Sequence, residues 1–261
     1  MPAQSHRSDP RILGRRTLQR DHRCLAALLR PGLAVLDVGC GTGAITYGIA
    51  EAVAPDGYAI GIDRDSALLD LARGDHGAIS NLRFEIGDVT TMSFTSQFDI
   101  VTAARMLQWI AQPGLAISNM VKAAKPSGMI VVLDYNHTGN VWEPDPPADF
   151  SRFYNAFLAW RQANHWDNQM AEHLPELFRS AGLHDIQSHV QDEVVKRGHL
   201  GFAEGAALWS EVIESLGDQL AQAGFCTLDQ LRTARESFEP WATTELVRQT
   251  LVMRAVIGRV L

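Results

Sequence analysis

The sequence predicts a doubly wound α/β fold, and three observations carry that prediction. Short apolar runs bounded by turn signals recur between residues 33 and 134, segments of helical period separate them, and a strand, a glycine turn and a helix follow one another over residues 35–44. Strands alternating with helices give a parallel sheet covered on both faces. The 261 residues suit one large domain, or one domain carrying an insertion, at roughly 150 residues per domain.

Taken in order, residues 1–30 hold seven arginines against Asp9 and Asp21, so this stretch is near +5 and the remainder near −12. It reads as a solvated helical arm, or as an arm that closes over an anionic or carboxylate-bearing ligand. Buried strands follow at Leu33–Val38, Tyr58–Asp63, Leu82–Ile86, Asp99–Ala103 and Met129–Asp134. Helices lie between them at Ala44–Val53, Ser66–Arg73 and Leu115–Ala124, the last stopped by Pro126. Gly139–Pro147, with three prolines and two acids, reads as a loop after the fifth strand, where open α/β sheets place insertions and ligands. Phe150, Phe153, Tyr154, Phe157 and Trp160 then share one helical face. Met170–Ala181 is a helix stopped by Gly182, Ile186–Val195 alternates like a strand, Phe202–Ala223 and Leu228–Phe238 are helices, and Leu251–Val260 is a last strand. The expected division is an arm at 1–30, a ligand-binding core at 31–136, a helical lid and return helix at 137–183, and final strands at 184–261 with a helical pair inserted at 202–240.

Composition removes several function classes. A formal charge of −7 argues against nucleic acid as a partner, because neutralising phosphates calls for a basic face. At 46% apolar residues the chain can fold, yet it has no run near the ~20 apolar residues of a membrane span. Cys24, Cys40 and Cys226 are too few and too scattered for a disulfide framework, a zinc site or an iron–sulfur cluster. With no apolar signal region among the arginines, the expectation is a cytoplasmic protein. No histidine pair has metal-binding spacing, so no metal is expected.

The chemistry-bearing stretch is Val35-Leu-Asp-Val-Gly-Cys-Gly-Thr-Gly-Ala44. Glycines permit a tight turn and a close backbone approach to a ligand, and the helix that follows offers unpaired N–H groups. Gly39, Gly41 and Ala44 also satisfy the dinucleotide pattern G-x-G-x-x-G/A. Asp37, inside the strand before the turn, is poorly placed beside a pyrophosphate and suits a cationic ligand. Asp63, ending the second strand, is placed to accept from ribose hydroxyls. Gly87-Asp88-Val89, ending the third strand, sets another acceptor beside the same cleft. Each aspartate alone reads equally well as a cap or turn residue; the three together with the glycine turn point to a ligand site.

On these residues the chain resembles the class I S-adenosylmethionine-dependent methyltransferases over about residues 15–135. Val35–Ala44 resembles their first motif, Ile62-Asp63-Arg64 the ribose-binding region, Gly87-Asp88-Val89 the adenine region, and Phe98-Asp-Ile-Val-Thr-Ala-Ala-Arg105 the fourth strand and its exit. The resemblance implies a Rossmann-like, seven-stranded, mainly parallel sheet with its last strand antiparallel, plus helical substrate-lid insertions. It implies that Asp37 and the backbone of Gly39, Cys40, Gly41 and Thr42 hold the methionine portion, Asp63 with Arg64 the ribose, Asp88 and Val89 the adenine, and Ala104 and Arg105 the far side of the sulfonium cleft. S-adenosylmethionine would be the cofactor and S-adenosylhomocysteine its product.

The fourth strand exits as Ala103-Ala-Arg-Met-Leu, without the Asn-Pro-Pro-Tyr of enzymes that methylate exocyclic amino groups. The expected acceptor is therefore N, O or C of a small, largely apolar or aromatic molecule, with no nucleic acid and no membrane as partner. Small-molecule relatives often carry a histidine before Trp109, where this chain has Gln108, which can orient a substrate but cannot take a proton. His165, after the aromatic helix and before Trp166, ranks first as a base ahead of His137 and His173. Trp142, Tyr154, Trp160 and Trp166 are candidate substrate contacts, with packing as the alternative for each. Two other function classes stay open: a cofactor-binding regulator without catalysis, and an NAD(P)-dependent oxidoreductase.

Overall fold

The computed structural model describes residues 8–261; the first seven residues of the expected arm, Arg7 among them, lie outside the described residues. In chain order the helices are α1 (Pro10–Gly14), α2 (Leu18–Asp21), α3 (Arg23–Leu28), α4 (Ala44–Val53), α5 (Ser66–His76), α6 (Pro113–Ala123), α7 (Ala148–Ala163), α8 (Met170–Ser180), α9 (Phe202–Gln222) and α10 (Leu228–Thr244). The strands are β1 (Ala34–Val38), β2 (Tyr58–Asp63), β3 (Leu82–Ile86), β4 (Phe98–Ala104), β5 (Ala124–Glu143), β6 (His184–Val190), β7 (Glu193–Lys196) and β8 (Arg248–Arg259). The described chain forms two compact units, a sheet unit of residues 8–135, 170–191 and 253–261 and a helical unit of residues 136–169 and 192–252. The arm's described portion thus belongs to the sheet unit, and of the segment expected as a lid and return helix at 137–183, residues 137–169 lie in the helical unit and α8, the return helix, in the sheet unit.

Seven strands follow one path, β3-β2-β1-β4-β5-β8-β6, and β7 pairs with β8 off that path. Strands β3, β2, β1, β4 and β5 run parallel to their neighbours, while β8 is antiparallel to β6 and β7. The alternation of side chains along each strand sends one set to each face. Leu36, Val38, Val101, Ala103, Ile130 and Val132 pack with Ile117 and Met120 of α6 and with Leu174 and Phe178 of α8. Val35, Ile100 and Val131 pack on the other face with Leu18, Leu25, Ile49 and Leu69 of α2 to α5. This two-layered burial is the doubly wound sheet that the apolar runs predict.

The structure departs from the sequence reading in four places. Residues 139–143, expected as loop, continue β5, and only 144–147 are irregular. The stretch has partners that hold it extended: Asn140 Oδ1 accepts from the Val252 N–H, and the Glu143 carbonyl from the Val247 N–H. The single strand expected at Ile186–Val195 is two, β6 and β7, interrupted at Gln191 and Asp192. There the buried Gln191 side chain accepts from Cys24 N–H and donates to the Asp21 carbonyl, so it serves the arm. Helix α6 starts at Pro113 and ends at Ala123, before Pro126 can stop it, because Ala124 already pairs with Phe98. Helix α10 continues through Pro240 to Thr244, where the Thr243 and Thr244 hydroxyls donate to the Glu239 and Pro240 carbonyls.

In the helical unit α7 packs with α9 and α10 around aromatic rings. Phe150 stacks on Phe238 at 4.3 Å, and Trp209 meets Tyr154 edge-on at 5.0 Å. The stripe Phe150–Trp160 is thus the core of this unit. Helix α10 opens on a capping box, in which Thr227 Oγ1 accepts from the Gln230 N–H and the Gln230 side chain accepts from the Thr227 N–H.

Candidate cofactor site

Between β1 and α4 the chain turns through Gly39 and Gly41, at φ +73 and +56, conformations that glycine adopts without strain. A Cβ on Gly39 would fall 2.4 Å from Met106 Cγ, so close approach as well as backbone shape excludes larger residues there, whereas at Gly41 a Cβ would meet the end of the Leu13 side chain of α1 at 2.9 Å and backbone shape alone selects glycine. The N–H groups of Gly39 and Cys40 both donate to the Ile62 carbonyl, which holds the turn against the end of β2. Thr42 is 5% exposed, and its buried hydroxyl has no hydrogen-bond partner among the described residues. A buried polar atom without a partner costs free energy, which a ligand's donor or acceptor removes.

Three acids stand at or just beyond the carboxyl ends of neighbouring strands. Asp37, 3% exposed on β1, accepts from the Thr46 hydroxyl of α4 at 2.6 Å. Burial pushes its carboxyl up to about 6, with the Asp63 charge adding to the rise and the Thr46 bond opposing it. Asp63, ending β2, has each oxygen fixed by one backbone donor, Oδ2 by Gly41 N–H and Oδ1 by Asp65 N–H, both at 2.9 Å. A carboxylate oxygen accepts two bonds, so each retains a site for a second donor. Asp88, after β3, takes the Thr90 N–H and hydroxyl on Oδ1 alone. Val89 is buried beside it, with its carbonyl accepting from the Asn119 side chain at 2.9 Å. Arg64 is exposed on the turn after β2.

Beyond β4, Ala104 is half-buried and Arg105 enters the left-handed region at φ +59. The guanidinium is buried: Nε donates to the Tyr135 hydroxyl, Nη1 to the Asp21 carbonyl, and Nη2 lies 3.8 Å from Asp21 Oδ1. Arg105 therefore ties the arm to the ends of β4 and β5. Gln108, 2% exposed, donates its amide to the Arg105 carbonyl, while its N–H donates to Asp134. Asp21, His22, Asn119 and Gln191 are the residues that sequence reasoning passed over here. A lone histidine or amide carries no spacing signal, and only tertiary packing brings these to the strand ends.

The remaining expected residues lie in the helical unit. Tyr154 donates to the His137 carbonyl at 2.6 Å and accepts from Asn140, and burial raises its hydroxyl well above the usual range. Trp142 is half-buried and donates to Gln249. Trp160 and Trp166, 0% and 4% exposed, meet edge-on at 5.1 Å within the packing of this unit. His165 is exposed, follows α7 at φ +59, and is held there by its N–H donating to the Gln162 carbonyl. Among the described residues no group of three or more metal-ligating side chains is gathered, and no helix is long and apolar enough to cross a membrane.

Comparison with known proteins fits this geometry. The chain is 26% identical over 195 residues to a demethylmenaquinone methyltransferase of Staphylococcus aureus, covering 67% of this chain and 78% of the relative. Its fold is similar to that of YcgJ of Bacillus subtilis, with a TM-score of 0.60 and 15% identity over 93% of this chain and 98% of that one. It is also similar to phosphoethanolamine N-methyltransferase 2 of Haemonchus contortus, a structure in complex with S-adenosyl-L-methionine, with a TM-score of 0.57 and 18% identity over 92% of this chain and 52% of that one. The methyltransferase-domain family model matches residues 29–191, from the arm through β6, and the chain belongs to that family, the class I S-adenosylmethionine-dependent methyltransferases.

Proposed function

We propose that the chain transfers a methyl group from S-adenosylmethionine to a small, largely apolar or aromatic acceptor. The observation that carries the cofactor assignment is Asp63, whose two oxygens are oriented by Gly41 and Asp65 N–H groups and retain one acceptor site each. That arrangement suits the paired hydroxyls of a ribose. Asp88, whose Oδ1 alone is engaged by Thr90, and the Val89 N–H are assigned to the adenine edge, and Asp37 with the Gly39–Thr42 turn to the cationic methionine portion. The unpartnered Thr42 hydroxyl, buried in the same turn, supports a polar ligand there. Bound, the cofactor supplies a methyl group already activated by its sulfonium. The protein's part is then to align the acceptor, exclude water and take up a proton where the acceptor releases one.

The name of the Staphylococcus aureus relative supports an aromatic, quinone-derived acceptor. Gln108 cannot serve as the base, and His165 is the proposed proton acceptor. Calorimetric titration with S-adenosylmethionine, S-adenosylhomocysteine and NADH tests the cofactor: micromolar binding of the first two and silence from the third is expected, and binding of NADH alone refutes the assignment. For the base, His165→Ala is expected to lower turnover by about 10²–10⁴-fold with cofactor affinity intact. Wild-type turnover in that variant removes His165 from the role.

A further inference from the structure

His22 joins the end of α2 to the start of α3, and its ring is fully buried. Nε2 lies 3.0 Å from the Thr102 hydroxyl of β4. Thr102 has one hydroxyl proton and donates it to the Val131 carbonyl at 2.8 Å. It can only accept from the imidazole, so Nε2 carries the ring proton and Nδ1 is a bare acceptor. Nδ1 is buried with no partner among the described residues. Burial and the neighbouring Arg105 charge both oppose protonation of the ring, so this acceptor stays an acceptor.

Thr102 is the cross-strand neighbour of Asp37, on strands about 4.8 Å apart. The Thr102 hydroxyl that the imidazole meets and the Asp37 carboxyl therefore share one face of the β1–β4 pair, and a buried lone pair on the same face as an ionised carboxylate suits an N–H donor carrying positive charge. Arg105, the cation whose charge reaches the ring, donates to the Tyr135 hydroxyl and the Asp21 carbonyl.

We propose that His22 Nδ1 accepts a hydrogen bond from the α-ammonium of the cofactor's methionine portion, acting with Asp37 as a binding group that the glycine turn does not supply. The inference rests on the cofactor reading above. It gives the arm a role in ligand recognition: the same ring that fastens α2 and α3 to β4 through Nε2 presents an acceptor through Nδ1.

Two isosteric substitutions separate fastening from recognition. In His22→Gln the terminal amide can replace Nε2 as donor to Thr102 while leaving no acceptor at the place of Nδ1. In His22→Asn the side-chain oxygen can replace Nδ1 without reaching Thr102. Calorimetry on the full chain with S-adenosylhomocysteine, which carries the ammonium, and with 5′-methylthioadenosine, which lacks the amino-acid portion, reads the difference. The expected result is about tenfold weaker binding of S-adenosylhomocysteine by His22→Gln, unchanged binding of 5′-methylthioadenosine, and substantial recovery in His22→Asn. Wild-type affinity of His22→Gln for both ligands, or equal losses for both, overturns the assignment of Nδ1 while leaving the cofactor reading intact. Failure of the wild-type protein to bind S-adenosylhomocysteine overturns both.

Discussion

In the sheet unit the buried acids Asp37 and Asp134 lie at the carboxyl half of the parallel strands and take hydrogen bonds from Thr46, Gln108 and Tyr135, whereas in the helical unit the buried hydroxyl of Tyr154 serves to fix a ring among other rings. Asp63 at the strand ends of the first unit retains acceptor capacity, whereas the Tyr154 hydroxyl of the second is engaged on both sides by His137 and Asn140 within an aromatic core. A substitution of Asp37 or Asp63 should therefore be read out in ligand affinity, and one in the buried Phe150–Trp160 stripe in stability.

The largest effect that tests this contrast is Phe150→Ala. Removing a ring that is fully buried and stacked at 4.3 Å on Phe238 should cost about 3–5 kcal/mol, seen in chemical denaturation, and a loss below 1 kcal/mol would refute the view of α7 as core. Asp63→Ala comes next. Loss of two charge-assisted bonds should weaken cofactor binding by about 2–4 kcal/mol, and unchanged affinity by calorimetry would remove Asp63 from the site.

The comparison sharpens with pH. Because the Asp37 carboxyl is raised to about 6 from 3.8, its contribution to stability is present in full below 3.8 and is lost as pH rises through about 6. A cationic ligand works in the opposite direction, since it favours the ionised form. Cofactor affinity should rise by up to about tenfold per unit as pH climbs toward 6, flatten above it, and lose this slope in Asp37→Asn. A slope that survives in Asp37→Asn would place the titrating group elsewhere. The smallest expected change is in Thr227→Ala, where loss of the capping box should cost about 0.5–2 kcal/mol of stability with cofactor affinity unaltered.

Much of the sheet unit is legible in the sequence because its signals are local. Tyr58–Asp63, Leu82–Ile86 and Ala44–Val53 fall where apolar runs and helical period put them, and the glycine turn with its three acids announces itself by spacing. What stays hidden depends on partners distant in the chain. Nothing around Gly139 shows that Val252 and Val247 will hold that stretch extended, and nothing around Gln191 shows that its side chain will bond Cys24 and Asp21 of the arm where the strand breaks. His22 is the clearest case, since its ring acquires a meaning only from the single proton of Thr102, eighty residues away. The aromatic spacing of α7 is equally visible, but a buried ring and a ligand-facing ring obey the same period, so the stripe alone does not separate packing from recognition.

The way Asp63 is held bears on how catalysis would be regulated. Its orientation is set by backbone donors before any ligand arrives, and the ribose assigned to it is identical before and after methyl transfer, as is the adenine assigned to Asp88 and Val89. Contacts that do not distinguish the two forms lower the energy of both equally and contribute nothing to the chemical step. If Asp63, Asp88 and Val89 anchor the cofactor as proposed, the spent cofactor would compete with the fresh one, and the enzyme's output in a cell would follow the ratio of the two.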